Sequence, residues 1–153
     1  KRLSSTFSYG KNIVEFGEEK RYRMISAAAG RAKDGESGDS YTFMDCGYGK
    51  YVMAIADGMG AGTRARKESQ EVIELLEQFS EAGFEKDLAV RLINSALMLH
   101  SGKELFSTLD LCTVDLYTGK VEFMKTGAAS AYIIRSGQAI AIKNTSLPFA
   151  ASV

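Results

Sequence analysis

Two short clusters in this sequence bring acid and glycine together where packing alone does not require it: Ser37-Gly38-Asp39 and Asp57-Gly58-Met59-Gly60. A carboxylate beside a glycine offers its own oxygens and a neighbouring main-chain carbonyl. Hard oxygen donors of this kind suit magnesium or manganese rather than zinc. The clusters gain meaning as a pair. If the apolar runs beside them form an antiparallel hairpin, Asp39 enters the first strand where Asp57 leaves the second, so both lie at one sheet end. Two carboxylates placed together repel and raise each other's pKa, and a divalent cation relieves that. Two plainer readings stand beside this one. Asp57-Gly58 is also an ordinary turn between strand and helix, and Gly58 to Gly62 could form a main-chain nest for an anion at a helix start. A nucleotide-binding P-loop fits poorly, because the Gly-Lys-Ser/Thr ending is missing.

The elements that must position these residues are legible around them. Ser40 to Met44 and Lys50 to Ala56 are β-branched and aromatic runs that flank the turn signal Asp45-Cys46-Gly47-Tyr48-Gly49, which reads as a hairpin. After the glycine loop, Val72, Leu75, Leu76 and Phe79 recur at helical spacing with Glu71, Glu74 and Glu77 outside the stripe, which predicts a helix from about Thr63 to Ala82 that stops at Gly83. A second helix, about Glu85 to Ser101, carries Leu88, Ala89, Leu92, Ile93, Ala96 and Leu97 on a broad apolar face and is capped by Gly102. Val90, Met98 and Leu99 add apolar surface elsewhere on it, so it should be covered on more than one face. Leu109 to Leu116, Lys120 to Lys125, Ala131 to Arg135 and Gln138 to Ile142 read as strands of a consecutive antiparallel meander. Upstream, Tyr22, Met24 and Ser26 suggest a strand, and residues 30–38 a loop. Residues 1–19 read as a linker or the end of a preceding module. The fold class is therefore α+β, antiparallel β-sheets with two packed helices.

Composition bounds the function classes. With 45% apolar and 25% charged residues, the chain is ordinary globular material. Nineteen basic and nineteen acidic side chains cancel, so no nucleic-acid partner is expected. Apolar runs such as Tyr51 to Ala56 are too short to span a bilayer, and no signal peptide is apparent. The opening lysine and the apolar ending, Leu147 to Val153, suggest a piece of something longer. Cys46 and Cys112 read as reduced, buried thiols of a cytoplasmic protein. His100, the single histidine, sits at a helix C-terminus, where a favourable dipole contact explains it. Met44, Met53, Met98 and Met124 read as core filler, and Met59 as a plug of the glycine loop against the helices. Arg64, Arg66 and Lys67 open a helix, an unfavourable place for cations. They answer either to nearby carboxylates or to a phosphorylated partner, or they form a solvated basic patch.

Ser37-Gly38-Asp39-Ser40-Tyr41 followed by Ala54-Ile55-Ala56-Asp57-Gly58-Met59-Gly60-Ala61-Gly62 resembles the metal-dependent protein Ser/Thr phosphatases of type 2C (PPM), and more narrowly their SpoIIE-like branch. Ser107-Thr108-Leu109-Asp110, Asp115 to Gly119, Lys125 to Ala128 and Leu147-Pro148 extend the likeness, which covers about Arg21 to Phe149. The resemblance implies a partial α/β/β/α sandwich, with residues 20–153 as the N-terminal part of the phosphatase domain and its C-terminal strands missing. It implies Asp39 and Asp57 as catalytic, with Asp39, Asp57 and the Gly58 carbonyl as ligands of two Mn2+ or Mg2+ ions, and a water between the ions attacking phosphorus in line. Asp115 fits a structural turn. The two helices match the branch's regulatory switch, represented here by Thr63, Val72, Leu76, Phe79, Leu92 and Leu97. The implied partner is a phosphorylated anti-anti-sigma factor (SpoIIAA-like), dephosphorylated on serine to activate a sporulation sigma factor. A homodimer is also expected, and any membrane tether lies outside the chain. The family's further metal-binding aspartates lie beyond the Leu-Pro turn, so the chain alone should have little activity. The alternative is a non-catalytic phosphoprotein-binding or dimerisation module on a degenerate phosphatase fold.

Overall fold

The computed structural model describes residues 3–8, 11–16, 18–32, 35–100 and 107–143, the first two segments by backbone alone. Its centre is a four-stranded antiparallel sheet of order β3-β4-β5-β6, built from β3 (Asp39–Asp45), β4 (Lys50–Gly58), β5 (Ser107–Asp115) and β6 (Val121–Thr126). The helices α1 (Thr63–Glu81) and α2 (Lys86–His100) lie between β4 and β5 in the chain, yet those two strands pair directly, Asp57 opposite Thr108 and Gly58 opposite Ser107. Strand alternation divides the sheet's residues between two faces. Val52, Ala54, Ala56, Leu109 and Leu111 meet Val72, Ile73 and Leu76 of α1 and Ile93 and Leu97 of α2 in the main core. Full burial of each large aliphatic there stabilises the fold by roughly 1.5–3 kcal/mol. The polar residues on this face are partnered: Ser40 Oγ bonds Ser69 Oγ at 2.8 Å, and the Thr42 hydroxyl donates to Glu77.

The opposite face has a smaller cluster, Cys112, Val114 and Leu116, with Met24, Tyr51, Met53 and Phe123 packed on it. Tyr41, Phe43 and Ile55, towards the strand ends that carry Asp39 and Asp57, remain exposed.

Helix α1 ends as its sequence predicts. Gly83 takes a left-handed φ of 80°, its N–H donates to Ser80 O, and the Phe84 N–H donates to Phe79 O. The predicted cap of α2, Gly102, lies outside the described residues, as do Leu147-Pro148 and the side chain of His100. The four downstream strands fall where the sequence places them, but the meander does not hold. β7 (Ala131–Arg135) and β8 (Gln138–Ile142) pair only with each other among the described residues. Gly127, at φ 67°, follows β6 directly and turns the chain out of the first sheet.

Upstream, β1 (Leu3–Ser8) pairs with β2 (Lys11–Phe16), where Phe7, Ile13, Val14 and Phe16 favour extended backbone. Two further expectations are corrected. The Tyr22 to Ser26 stretch is no strand. It is tied by the Arg21 and Tyr22 N–H groups to a single acceptor, Leu116 O, and by Ser26 Oγ to the Tyr51 hydroxyl at 3.0 Å. One shared carbonyl cannot build a ladder. On α2, Leu88, Met98 and Leu99 are exposed, so this helix is covered on one face only, and Met98 is not core filler.

Both cysteines are free thiols. Burial pushes Cys112 up to about 11, and burial also raises Cys46, which is only partly covered. At pH 8, iodoacetamide followed by mass measurement should label Cys46 first and Cys112 only in denaturant; equal rates would contradict this packing. A thiol that keeps its proton to about 11 when folded but to 9.0 otherwise contributes stability that is lost as pH rises between those values.

Candidate metal centre

The hairpin register places Asp39 directly opposite Asp57. Each is held locally. Ser37 Oγ donates to Asp39 Oδ2 at 3.0 Å and accepts from the Asp39 N–H at 3.3 Å, so the carboxylate is oriented by the loop that precedes it. The buried Ser107 hydroxyl donates to the carbonyl oxygens of Asp57 (3.1 Å) and Thr108 (3.2 Å), which pins the end of β4 to β5. The Gly58 N–H donates to Gly38 O at 3.2 Å, so the two glycines join the loops main chain to main chain.

Partial desolvation raises the Asp57 carboxyl above its ordinary value, and the charge of Asp39 and a hydrogen bond with it raise it further. The part owed to Asp39 is the mutual repulsion expected of two carboxylates placed side by side. Asp110 stands two residues beyond Thr108 on the same sheet face, but its carboxylate is bound by the Nζ of Lys125, which is buried. That ion pair removes it as a third ligand. Among the described residues no cluster of three or more His, Cys, Asp or Glu could hold a metal. The donors present therefore fit part of an oxygen-ligated site. Asp115 is structural, since its Oδ1 accepts the N–H groups of Tyr117 (2.8 Å) and Thr118 (3.0 Å), which hold it below the usual carboxylate range.

Helix α1 starts on this centre. Ala65 is fully buried, and a Cβ on Gly58 would lie 2.0 Å from the Ala65 carbonyl oxygen. A Cβ on Gly38 would lie 3.0 Å from the Ala65 Cβ. Of the residues that the resemblance places in a switch, Val72, Leu76 and Leu97 are in the core, Phe79 packs edge-on to Phe84 with ring centroids 5.5 Å apart, Leu92 is half-buried and Thr63 is exposed at the helix start. Met59 does not plug the loop: it is 60% exposed, because Ala65 already occupies the space against the sheet end. The cations at the helix start separate. Arg64 Nε pairs with Glu68 at 2.9 Å, Lys67 is exposed, and Arg66 Nη1 donates to Asp39 O at 2.6 Å. Neither the Ser37 and Ser107 tethers nor the Arg66 bond was predicted from the residues. The only signals for them were Ser37 inside its motif and three cations where the helix dipole disfavours them.

The four-stranded sheet with its helices on one face and its acid pair at one end has the architecture of a PP2C-type phosphatase domain. The structure of the PP2C phosphatase domain and a fragment of the regulatory domain of the cell fate determinant SpoIIE from Bacillus subtilis superposes with a TM-score of 0.83 at 39% identity, over 97% of this chain and 46% of that one. RsbX in complex with magnesium superposes with a TM-score of 0.61 at 15% identity, over 97% of this chain and 66% of that one, which shows the fold alone. The family described as Stage II sporulation protein E (SpoIIE) matches residues 47–152. Stage II sporulation protein E of Bacillus subtilis (strain 168) is 43% identical over 141 residues, 91% of this chain. The chain belongs to the SpoIIE family, and it spans 17% of the length of that relative.

Gly58→Ala should cost about 3 kcal/mol in denaturant unfolding, the upper end for overpacking, because the clash is with main chain and the helix start must move. Gly60→Ala, with a φ of 98° and open space around it, should cost only about 1–2 kcal/mol of backbone strain. Equal losses would show that α1 is not seated on Gly58.

Proposed function

We propose that residues 20–153 form the N-terminal part of a metal-dependent protein serine/threonine phosphatase domain, and that residues 1–19 end a preceding module. The observation that carries this reading is the Asp39–Asp57 pair at the sheet end, with Gly58 beside it under α1. Asp39, Asp57 and the Gly58 carbonyl would hold Mn2+ or Mg2+, the ion in whose complex the fold relative RsbX was solved. When bound, such cations make a nucleophile of water at neutral pH and neutralise phosphoryl oxygens. The chain's own residues set the donors in place. Ser37 orients the Asp39 carboxylate, Ser107 holds the Asp57 main chain, and Gly38 keeps the two loops in register. Lys125 keeps Asp110 from competing for the same charge.

The substrate in this reading is the phosphoserine of a SpoIIAA-like anti-anti-sigma factor, in partner-switching control of a sporulation sigma factor. Helices α1 and α2 are the regulatory switch, since a shift of α1 acts on Gly58 through Ala65 without an intermediary. No helix among the described residues is long and apolar enough to cross a membrane. The proposal puts the chain on the cytoplasmic side, with any tether elsewhere in the protein.

Two acid ligands are part of a two-ion site, so the chain alone should release little phosphate. The chain continued past Val153 should release phosphate from a phosphoserine anti-anti-sigma protein only with Mn2+, and Asp57→Asn should abolish this. Absence of release from a folded protein with a verified substrate would sink the phosphatase reading. In the same protein without metal, Asp57→Asn should raise stability by no more than about 1 kcal/mol, because an exposed repulsion is screened by water. It should also erase the rise in melting temperature that Mn2+ gives the unmutated protein. A raised folded pKa favours the protonated carboxyl, so the metal-free fold should gain stability as pH falls towards the ordinary carboxylate range. Thermal melts with and without Mn2+ check all three.

A further inference from the structure

We propose that Arg66 holds the phosphoryl oxygens of the substrate at the Asp39–Asp57 centre, an inference that rests on the phosphatase reading. Arg66 is half-buried near the N-terminus of α1, where the helix dipole disfavours a cation, and no acidic residue in the helix's first turn offsets it. An anion or a strong acceptor relieves such a placement. Arg64, two residues earlier, has one in Glu68. Among the described residues Arg66 has no carboxylate oxygen within 4.0 Å, and its hydrogen bond is to a main-chain carbonyl, Asp39 O.

That bond uses one of the five N–H groups of a guanidinium. It also fixes where the rest can reach. Helix α1 lies on one face of the sheet and Asp39 begins the edge strand β3, so the bond carries the guanidinium round the strand end. There it lines a cleft of about 440 Å³ together with Ser37, Asp39, Tyr41 and Ile55. A planar fork with free donors matches two oxygens of a phosphate, which a lysine at the same place would meet only as a point charge. A phosphomonoester dianion brought against two carboxylates is repelled unless positive charge faces it. Cations held at Asp39 and Asp57 would supply part of that charge, and Arg66 supplies it from the protein. Because its anchor is the carbonyl of Asp39 itself, the fork keeps a fixed distance from the carboxylate that would hold the ion.

The test is equilibrium binding of inorganic phosphate, with Mn2+ present, to the chain continued past Val153, with Mn2+ affinity measured in parallel. Arg66→Gln should weaken phosphate binding about tenfold or more and leave Mn2+ affinity within twofold. Arg66→Lys should keep part of the binding, and Arg64→Gln should leave it unchanged. Equal phosphate affinity in Arg66→Gln and the unmutated protein would overturn the inference, as would no phosphate binding by the unmutated protein. A parallel loss of Mn2+ and phosphate affinity in both Arg66 variants would overturn it too, since Arg66 would then serve only to clamp Asp39. If Arg66→Gln does not fold, Arg66→Lys decides, because it can keep the bond to Asp39 O while losing the fork. Phosphate release, measured separately, distinguishes the two readings. Arg66-dependent binding without release defeats the phosphatase reading alone, and release with Arg66-independent binding defeats this inference alone.

Discussion

A side chain of any size on Gly58 would run into the main chain of Ala65, whose carbonyl oxygen lies 2.0 Å from the Cβ position. The end of β4 and the first turn of α1 are therefore in backbone contact, and most of the described structure follows from that. Ala65 is fully buried because the sheet end closes over it, and the helix axis is set by where it starts. Val72, Ile73 and Leu76 then fall over Val52, Ala54 and Ala56, small or branched residues that let a helix lie close. Gly38 joins the same contact from β3, so both acid-bearing loops are gripped by one helical residue. Interiors packed this closely do not deform continuously. Either α1 sits on Gly58 or it does not.

The charges around this contact are sorted by the same geometry. Register puts Asp39 and Asp57 together, and among the described residues no ion pair neutralises either, while Asp110, on the same face, is neutralised by Lys125 one strand over. In the proposed reading, the unrelieved pair is the place where a bound cation would supply the positive charge. Glu122 shows the contrast from the surface. Lys120 and Lys86 draw its carboxyl down to about 2, yet such exposed pairs contribute little to stability.

Local pattern made part of this legible. The hairpin, both helices and the four later strands were all readable, because each carries its own periodicity or its own glycine stop. The meeting of Asp39 with Asp57 was readable too, since antiparallel pairing fixes it once the hairpin is granted. What local pattern could not show was long-range. Nothing in Gly127 says that the chain leaves the first sheet there rather than turning back along β6. Tyr22 to Ser26 alternate like a strand, but a ladder needs a partner, and Leu116 O is shared by two N–H groups instead. Met59 was assigned the space that Ala65 fills, because which small residue abuts a glycine depends on the helix's approach. The Ser107 tether to Asp57 is hidden for the same reason, whereas the Ser37 bond to Asp39 is local and only its motif hints at it.

In the proposed switch, coupling to metal runs both ways. The Gly58 carbonyl and the Asp57 carboxylate are offered to the ion from the strand that Ala65 contacts. An ion that prefers this arrangement therefore favours the seated helix, and whatever seats the helix raises ion affinity by the same factor. The uncovered side of α2, with Leu88, Met98 and Leu99 exposed, lies on the helix pair and away from the acid pair's strands. A partner covering that side would act on the site only by shifting α1. Since α2 reaches the core through Ile93 and Leu97 beside Leu76, α1 cannot leave Gly58 without disturbing both helices. The unit that would move is the pair, and the residue that transmits its movement is Ala65.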